Sequence, residues 1–436
     1  MTAPAPPSLA PSPGLPHVDP GAVVEVRSAP GLDALALAAR HLDVVVTTET
    51  PHLSASSGTP KAPGTPATPA TPGVLRVDLA GARPRVLTQR LAEVAAGRAH
   101  PSGTWWLLEG IAGLDARWRA AIDAQRQPGH PLAHARVVVV GWAVPGPPGP
   151  WPVRVVRPLG FRSFVHASRQ SPPPEQPARL ATSALSPAVL RRATSMLAPW
   201  YETLEAAWHE YLRIGGLRGG AAGPPVSSEQ LHDAVFRRAE WSLTQTRQLL
   251  AALADGLGEP TNHRALAEQL GTSPQTVGRR LEELAAAGVT WPVPREQGLV
   301  PLPAAQAQVR FTDPAYLPAP DAADALTDRQ LTRRGGQQLA MALLRGIEAE
   351  QGQRPAEPGA LLHHRTATRR RIDLVGPELG DTAIMLLDTD RSWRRAAQTL
   401  RASRWRGVVA TRRVLEVSDR EVLAIPTCLL AWLVDT

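Results

Sequence analysis

The chain is 436 residues long, room for roughly two to four domains, and 43% of it is hydrophobic, so it can bury several cores. Its formal net charge of +8 favours an acidic polymer as partner. A single cysteine, Cys428, excludes an internal disulfide and any cysteine-based zinc cluster, and a single lysine, Lys61, excludes chemistry that needs a buried lysine elsewhere.

Residues 1–21 read as a disordered Pro-rich tail, and without a basic segment leading into an apolar run they are not a signal peptide. The longest apolar runs, 137–144 and 423–434, are too short to span a bilayer, so a cytoplasmic protein with no membrane contact is expected. From residue 22, short apolar runs alternate with helical patterns. Strands are expected at 23–27, 43–47, 74–79, 104–108, 136–140 and 153–156, and helices at 32–42, 85–96 and 115–125. That alternation describes an α/β domain over 22–165 with a mostly parallel sheet covered on both faces. A Thr-Pro tract at about 54–73 is a disordered insertion within it. Residues 180–257 then change to helices alone.

The segment 258–300 reads as a winged helix-turn-helix. Thr261 or Asn262 caps a short helix whose Leu266, Ala267 and Leu270 share one face. Gly271 permits a left-handed turn, Ser273 caps the second helix, and Pro274 takes its tolerated first position. Val277, Leu281 and Leu284 bury that helix, Gly288 ends it, and VTWPV supplies a wing. Gln275, Thr276, Arg279 and Glu282 are left on the exposed face, and they are hydrogen-bonding types that reach base edges or phosphates in a major groove. The same pattern also serves a module that only packs between two larger domains.

Residues 305–436 return to α/β, with a helix at 336–350, strands at 361–365, 371–375 and 383–388, a helix at 392–403 and a strand at 407–411. Residues 361–413 hold twelve arginines against five acids, a balance of +7 in one segment. Arg369, Arg370 and Arg371 adjoin a strand, while Arg394, Arg395, Arg401 and Arg404 lie on or just past the second helix. Forked guanidinium contacts to phosphates give salt-dependent, sequence-tolerant binding, and duplex DNA is the expected partner. The competing reading is ordinary solvated charge in an arginine-biased chain. His363 and His364 are adjacent on a strand, so they face opposite ways and do not share a metal.

Taken in order, these pieces resemble a prokaryotic family of AAA-type P-loop ATPases that carry helices, a winged helix and a C-terminal restriction-endonuclease-like domain. TWWLLEGIAGLDARW (104–118) is similar to the family's Walker B strand, RVVVVGWA (136–143) to its sensor strand, and RPLGFRSF (157–164) to its "PLSFREF" segment. HEYLRIGGL (209–217) is similar to "YLxxGGFP" and FTDPAYL (311–317) to the segment after the winged helix. RRIDLV (370–375) with MLLDTDRS (385–392) resembles the nuclease hairpin.

The resemblance implies a nucleotide pocket at Gly31 and Glu109, and a metal position at Asp373 and Asp388. The chain departs from the family at both. No lysine follows Gly31, Gly110 stands where a glutamate positions water, and Trp142 stands at the sensor position. In the nuclease-like part Asp390 falls where the water-activating lysine belongs, and Gln337 or Gln338 replaces the helix glutamate. The sequence therefore implies a degenerate member: a P-loop-like sheet domain, a helical region with a winged helix-turn-helix, and a restriction-endonuclease-like α/β domain. It would bind DNA or act as a scaffold, with no cofactor. The alternatives are a regulator that still binds ATP and, third, a residual Mg²⁺-dependent nuclease using Asp373 and Asp388.

Overall fold

The computed structural model describes residues 23–28, 74–79, 82–95, 105–143, 151, 153–168, 177–217, 227–236, 241–297, 300–301, 307–317, 326–352, 356–357, 359–366, 368–387, 389–403, 405–417 and 422–436. The expected tail at 1–21, helix at 32–42, strand at 43–47 and insertion at 54–73 lie outside them. The chain is mixed α/β and divides into two compact units. One holds Met1–Val26, Asp33–Gly141 and Gly146–Val153, and the other holds Arg27–Leu32, Trp142–Pro145 and Arg154–Thr436.

The first unit is organised on β1 (Val23–Ser28), β2 (Val74–Asp78), α1 (Leu87–Ala95), β3 (Trp105–Leu114), α2 (Ala116–Ala124) and β4 (Arg136–Ala143). With β5 (Val153–Val156) the strands form a five-stranded sheet of order β2-β3-β4-β1-β5. β2 and β3 run parallel, from Val74 beside Trp105 to Asp78 beside Glu109. Trp105, Trp106, Leu107 and Leu108 are all buried, so β3 is covered on both faces, as its unbroken apolar run requires. Asp115 caps α2 by accepting from the Arg117 and Trp118 amides at 2.9 and 3.0 Å. Two strands run past their expected ends, β4 from residue 140 to Ala143 and β3 further still. β3 continues six residues past Leu108 to Leu114, carried by the buried Ile111, so Glu109 and Gly110 sit inside the strand and not at its end.

The second unit begins with helices α3 (Phe161–Ala167), α4 (Pro187–Leu197), α5 (Tyr201–Ile214), α6 (Ser228–Leu231) and α7 (Leu243–Asp255). The winged segment follows: α8 (His263–Gln269), α9 (Pro274–Ala286), β6 (Thr290–Val293), the short pair β7 (Glu296–Gln297) and β8 (Val300–Pro301), and β9 (Gln308–Phe311) antiparallel to β6. Then come α10 (Asp328–Glu350), β10 (Leu362–Arg365), β11 (Arg371–Val375), β12 (Thr382–Leu386), α11 (Trp393–Arg401), β13 (Arg406–Thr411), β14 (Glu416–Val417), β15 (Val422–Pro426) and α12 (Thr427–Val434). Its six-stranded sheet has order β10-β11-β12-β13-β15-β14, antiparallel from β10 to β12 and parallel from β12 through β13 to β15. No helix among the described residues is long and apolar enough to cross a membrane.

Two features of this unit were not expected from the sequence. α10 starts at Asp328, eight residues before the expected start at 336, behind a capping box in which Thr327 and Gln330 bond each other's backbone amides. Gly335 and Gly336 lie inside the helix in close packing: a Cβ on Gly336 would stand 3.2 Å from Leu386 Cβ, and one on Gly335 3.3 Å from Trp208 Nε1. Beyond β13 the chain adds β14, β15 and α12. Every residue of α12 is buried.

Three sequence segments far apart in the chain meet at one buried centre. Arg345, on α10, forms a bidentate pair with Asp435, Nε to Oδ1 at 2.7 Å and Nη2 to Oδ2 at 2.9 Å, with Asp435 fully buried. The same carboxylate accepts the Phe161 amide at the start of α3. Asp313 is also fully buried and accepts from the Gly216 and Ala315 amides at 2.8 Å each. Burial pushes its carboxyl up to about 6, against the pull of those two amides and of Arg345.

Removing one partner of the Arg345–Asp435 pair leaves a buried charge uncompensated. Asp435→Asn is expected to lower unfolding stability by about 3–5 kcal/mol in urea titrations, and a loss below about 1 kcal/mol would show that the pair does not anchor the core. The Asp313 carboxyl titrates higher when folded than when unfolded, so its contribution is complete below the ordinary carboxylate range and is lost as pH rises through about 6. Wild type should therefore lose stability relative to Asp313→Asn between about pH 4 and 7, and parallel pH profiles would contradict this.

Candidate nucleic-acid interface

In the winged segment the local chemistry sets the geometry. Asn262 caps α8 through the Arg264 and Ala265 amides at 3.0 and 3.2 Å, and Ser273 caps α9 through the Thr276 amide at 3.1 Å. Gly271 takes φ +61° in the turn between them, a left-handed conformation with little cost only for glycine. Leu266, Ala267, Leu270, Val277, Leu281 and Leu284 are buried in one core with Val309 and Phe311 of β9. Gln275, Arg279 and Glu282 are exposed on α9, while Thr276 is half-buried with its hydroxyl 3.0 Å from that of Ser273.

The neighbour of Arg279 points the other way. Arg280 is buried, paired with Glu283 at 2.6 Å, and its guanidinium lies 5.3 Å from the Trp241 ring and 5.9 Å from Phe236. Strong packing of an arginine against two rings ties α9 to the preceding helices. Arg280 lies three residues after Val277 and four before Leu284, on the same helical face as the core residues, a placement that its charge concealed in the sequence.

A second surface is built by α11 and the turn between β10 and β11. Trp393, Ala396, Ala397 and Leu400 are buried, which leaves Arg391, Arg394, Arg395, Gln398 and Arg401 along the outer stripe. Arg394 stacks on Trp393 at 5.3 Å and stands 3.7 Å from Glu416. In the turn, Arg369 adopts φ +59° and is exposed, and its amide donates to Thr366 O at 2.8 Å. Arg370 reaches across to α11, donating to Thr399 Oγ1 at 3.0 Å. Arg404 lies outside the described residues.

Arg371, expected with its neighbours as a phosphate contact, is a bridge instead. It is half-buried, 2.8 Å from Glu259 at the start of the winged segment and 2.7 Å from Asp373. Beneath it, Arg310 of β9 is 1% exposed and donates to Gln308 Oε1 at 2.5 Å. Burial pushes Arg310 down to about 10, with Asp373 opposing that shift and Arg371 adding to it. Arg310 and Glu259 were not foreseen. The strand alternation of Gln308 and Arg310 against Val309 and Phe311 is the signal that could have turned the first two away from the winged core.

The acidic positions of the C-terminal sheet are engaged by the protein itself. Besides Arg371, the Asp373 carboxylate accepts the Leu386 amide at 2.9 Å. Asp390 accepts the Arg412 and Arg413 amides at 2.6 and 2.8 Å, closing the loop after β13. Gln337 and Gln338 donate to Phe311 O at 2.9 and 3.3 Å. Asp388 lies outside the described residues, and among those described no group of three or more His, Cys, Asp or Glu residues is placed to hold a metal ion. Asp373 Oδ1 faces the Arg371 guanidinium and Oδ2 the Leu386 amide.

His363 is buried, whereas His364 is half-buried against Trp405 and contacts Glu296. Cys428 is buried, and burial pushes its thiol up to about 12, so it offers no thiolate. In the first unit Glu109 is half-buried within β3, and Gly31 lies outside the described residues. No protein-family model matches the chain, and no curated protein matches it.

Adjacent arginines on α9 thus give opposite expectations. Arg280→Ala should cost on the order of 1–3 kcal/mol of stability, whereas Arg279→Ala should stay within about 0.5 kcal/mol of wild type. Thermal or urea unfolding of the two variants checks this, and equal losses would contradict the inward placement of Arg280.

Proposed function

We propose that the chain is a catalytically degenerate relative of the AAA-type ATPases that binds duplex DNA through the winged segment and the arginine stripe of α11. The observation that carries this reading is the set of exposed arginines in the β10–β11 turn and along or just ahead of α11: Arg369, Arg391, Arg394, Arg395 and Arg401. Arg370 on Thr399 joins the β10–β11 turn to α11, and Arg371 on Glu259 joins the same turn to the winged segment. Basic side chains repeated along an exposed helix supply phosphate contacts without reading sequence. Gln275 and Arg279, exposed on the second helix of the winged motif, supply the side chains that can read base edges.

The architecture supports kinship with the family the sequence resembles. The segments RPLGFRSF, HEYLRIGGL and FTDPAYL supply Phe161, Gly216 and Asp313 to the buried centre around Arg345 and Asp435. The degenerate motifs support action without chemistry. The only lysine of the chain is Lys61, Gly110 follows Glu109 within a strand, and Asp373 and Asp390 are bound by the protein's own groups.

Fluorescence anisotropy with labelled duplexes across a salt series tests the proposal. Replacing Arg369, Arg394 and Arg395 together by alanine should weaken binding to all sequences alike and reduce the slope of log affinity against log salt by roughly one per lost phosphate contact. Arg371 is left intact because its loss would unpair Asp373. Arg279→Ala should cost on the order of 1–3 kcal/mol at a preferred site and little elsewhere. Absence of binding by wild type at low salt, or an unchanged salt slope in the triple variant, would reject the reading.

A further inference from the structure

The wing of the winged segment is turned toward the C-terminal sheet. β10 is the outermost strand of that sheet, so one row of its backbone groups has no neighbour within it. The wing supplies one. Pro294 O, just past β6, accepts the His363 amide at 2.9 Å, and Arg295 pairs with His363 in a parallel bridge. Next along the chain Glu296, only 3% exposed, contacts Nδ1 of His364, whose ring packs edge-on against Trp405 at 4.8 Å. On its other side β7 pairs with β8, where Pro301 stands opposite Glu296. Proline has no amide to offer a further strand there.

The other strands of the motif face the same way. Phe311 O of β9 accepts from Gln337 and Gln338 of α10 at 2.9 and 3.3 Å. Trp291 of β6 lies 5.4 Å from the Arg157 guanidinium, which is paired at 2.6 Å with Glu348 of α10. A wing that followed a phosphate backbone would need donors and positive charge. This one places a carboxylate, Glu296, on β7 and carries Pro292, Pro294 and Pro301, three positions with no amide to give. Docked on β10, the buried Glu296 has a histidine beside it to offset the loss of water.

We infer that the β7–β8 wing is a built-in extension of the C-terminal sheet and stays docked on β10 whatever α9 binds. The winged segment and the C-terminal α/β part then act as one body, and α9, not the wing, is left to face a partner. The docking stands on the contacts above, and only the role of α9 rests on the DNA reading.

The test joins wing and sheet covalently in the full chain with Arg295→Cys and His363→Cys. Bridge partners on neighbouring strands lie within the separation that a disulfide spans, and the one native cysteine, Cys428, is buried. Mild oxidation should link the pair, read by loss of alkylatable thiols. The linked protein should bind labelled duplexes with an affinity ratio to its reduced form of about one. Loss of binding on oxidation, restored by reductant, would show that the wing must leave β10 and would overturn the inference, as would thiols that stay unlinked in the folded variant. Hydrogen exchange of wild type covers the case in which the cysteine variant does not fold. Slow exchange of the His363 amide, unchanged by added duplex, is expected, and exchange as fast as that of an exposed strand edge would overturn the docking. If neither wild type nor the reduced variant binds duplex at low salt, the DNA reading fails, while thiol linkage and exchange still decide the docking.

Discussion

The bidentate pair of Arg345 with Asp435 is the contact on which the second unit most depends. It joins the middle of α10 to the residue that follows α12, and through the Phe161 amide it fixes the start of α3. Around it Phe161, Trp208, Tyr211 and Trp432 pack ring against ring, with centroids 4.7 to 6.2 Å from Phe161. A buried ion pair of this kind adds little stability over an apolar packing of the same shape, but a single alternative arrangement would strand a charge in the core. The pair therefore selects one register of α10, α12 and α3, and the surrounding aromatic burial supplies the energy.

Arginine does nearly all the work of positive charge in this chain, and burial divides that work in two. Arg157, with Glu348 at 2.6 Å, Arg280, Arg310, Arg345 and Arg371 point inward and hold elements together. Arg279, Arg369, Arg394 and Arg395 point outward. The planar fork of the guanidinium suits both tasks, since it can bond a carboxylate along one edge while its face lies on an aromatic ring. Arg157 does both, lying 5.4 Å from the Trp291 ring while paired with Glu348.

The carboxylates show the complementary pattern. Asp313, Asp390 and Asp435 each accept backbone amides, and Asp373 accepts one amide and forms an ion pair with Arg371. Groups committed in this way are structural acceptors. They close turns and fix strand ends.

Local order was legible in the sequence because short-range chemistry creates it. The caps at Asn262 and Ser273, the left-handed turn at Gly271, the buried stripe of α9 and the strands β10 to β13 follow from patterns that span a few residues. The extension of β3 to Leu114, the early start of α10 and the buried α12 were missed because glycines and a continuous apolar run carry no periodicity that distinguishes their neighbours. The candidate surface was half legible. Arginine clustering located it, but Arg369 and Arg371 are equivalent in sequence. Only the tertiary structure decided that one faces solvent while the other is bound between Glu259 and Asp373. The physical reason is that a charge's role is set by the groups that desolvate and oppose it. For Arg371, Arg310 and Arg345 at least one of those groups lies on another element, more than fifty residues away in the chain.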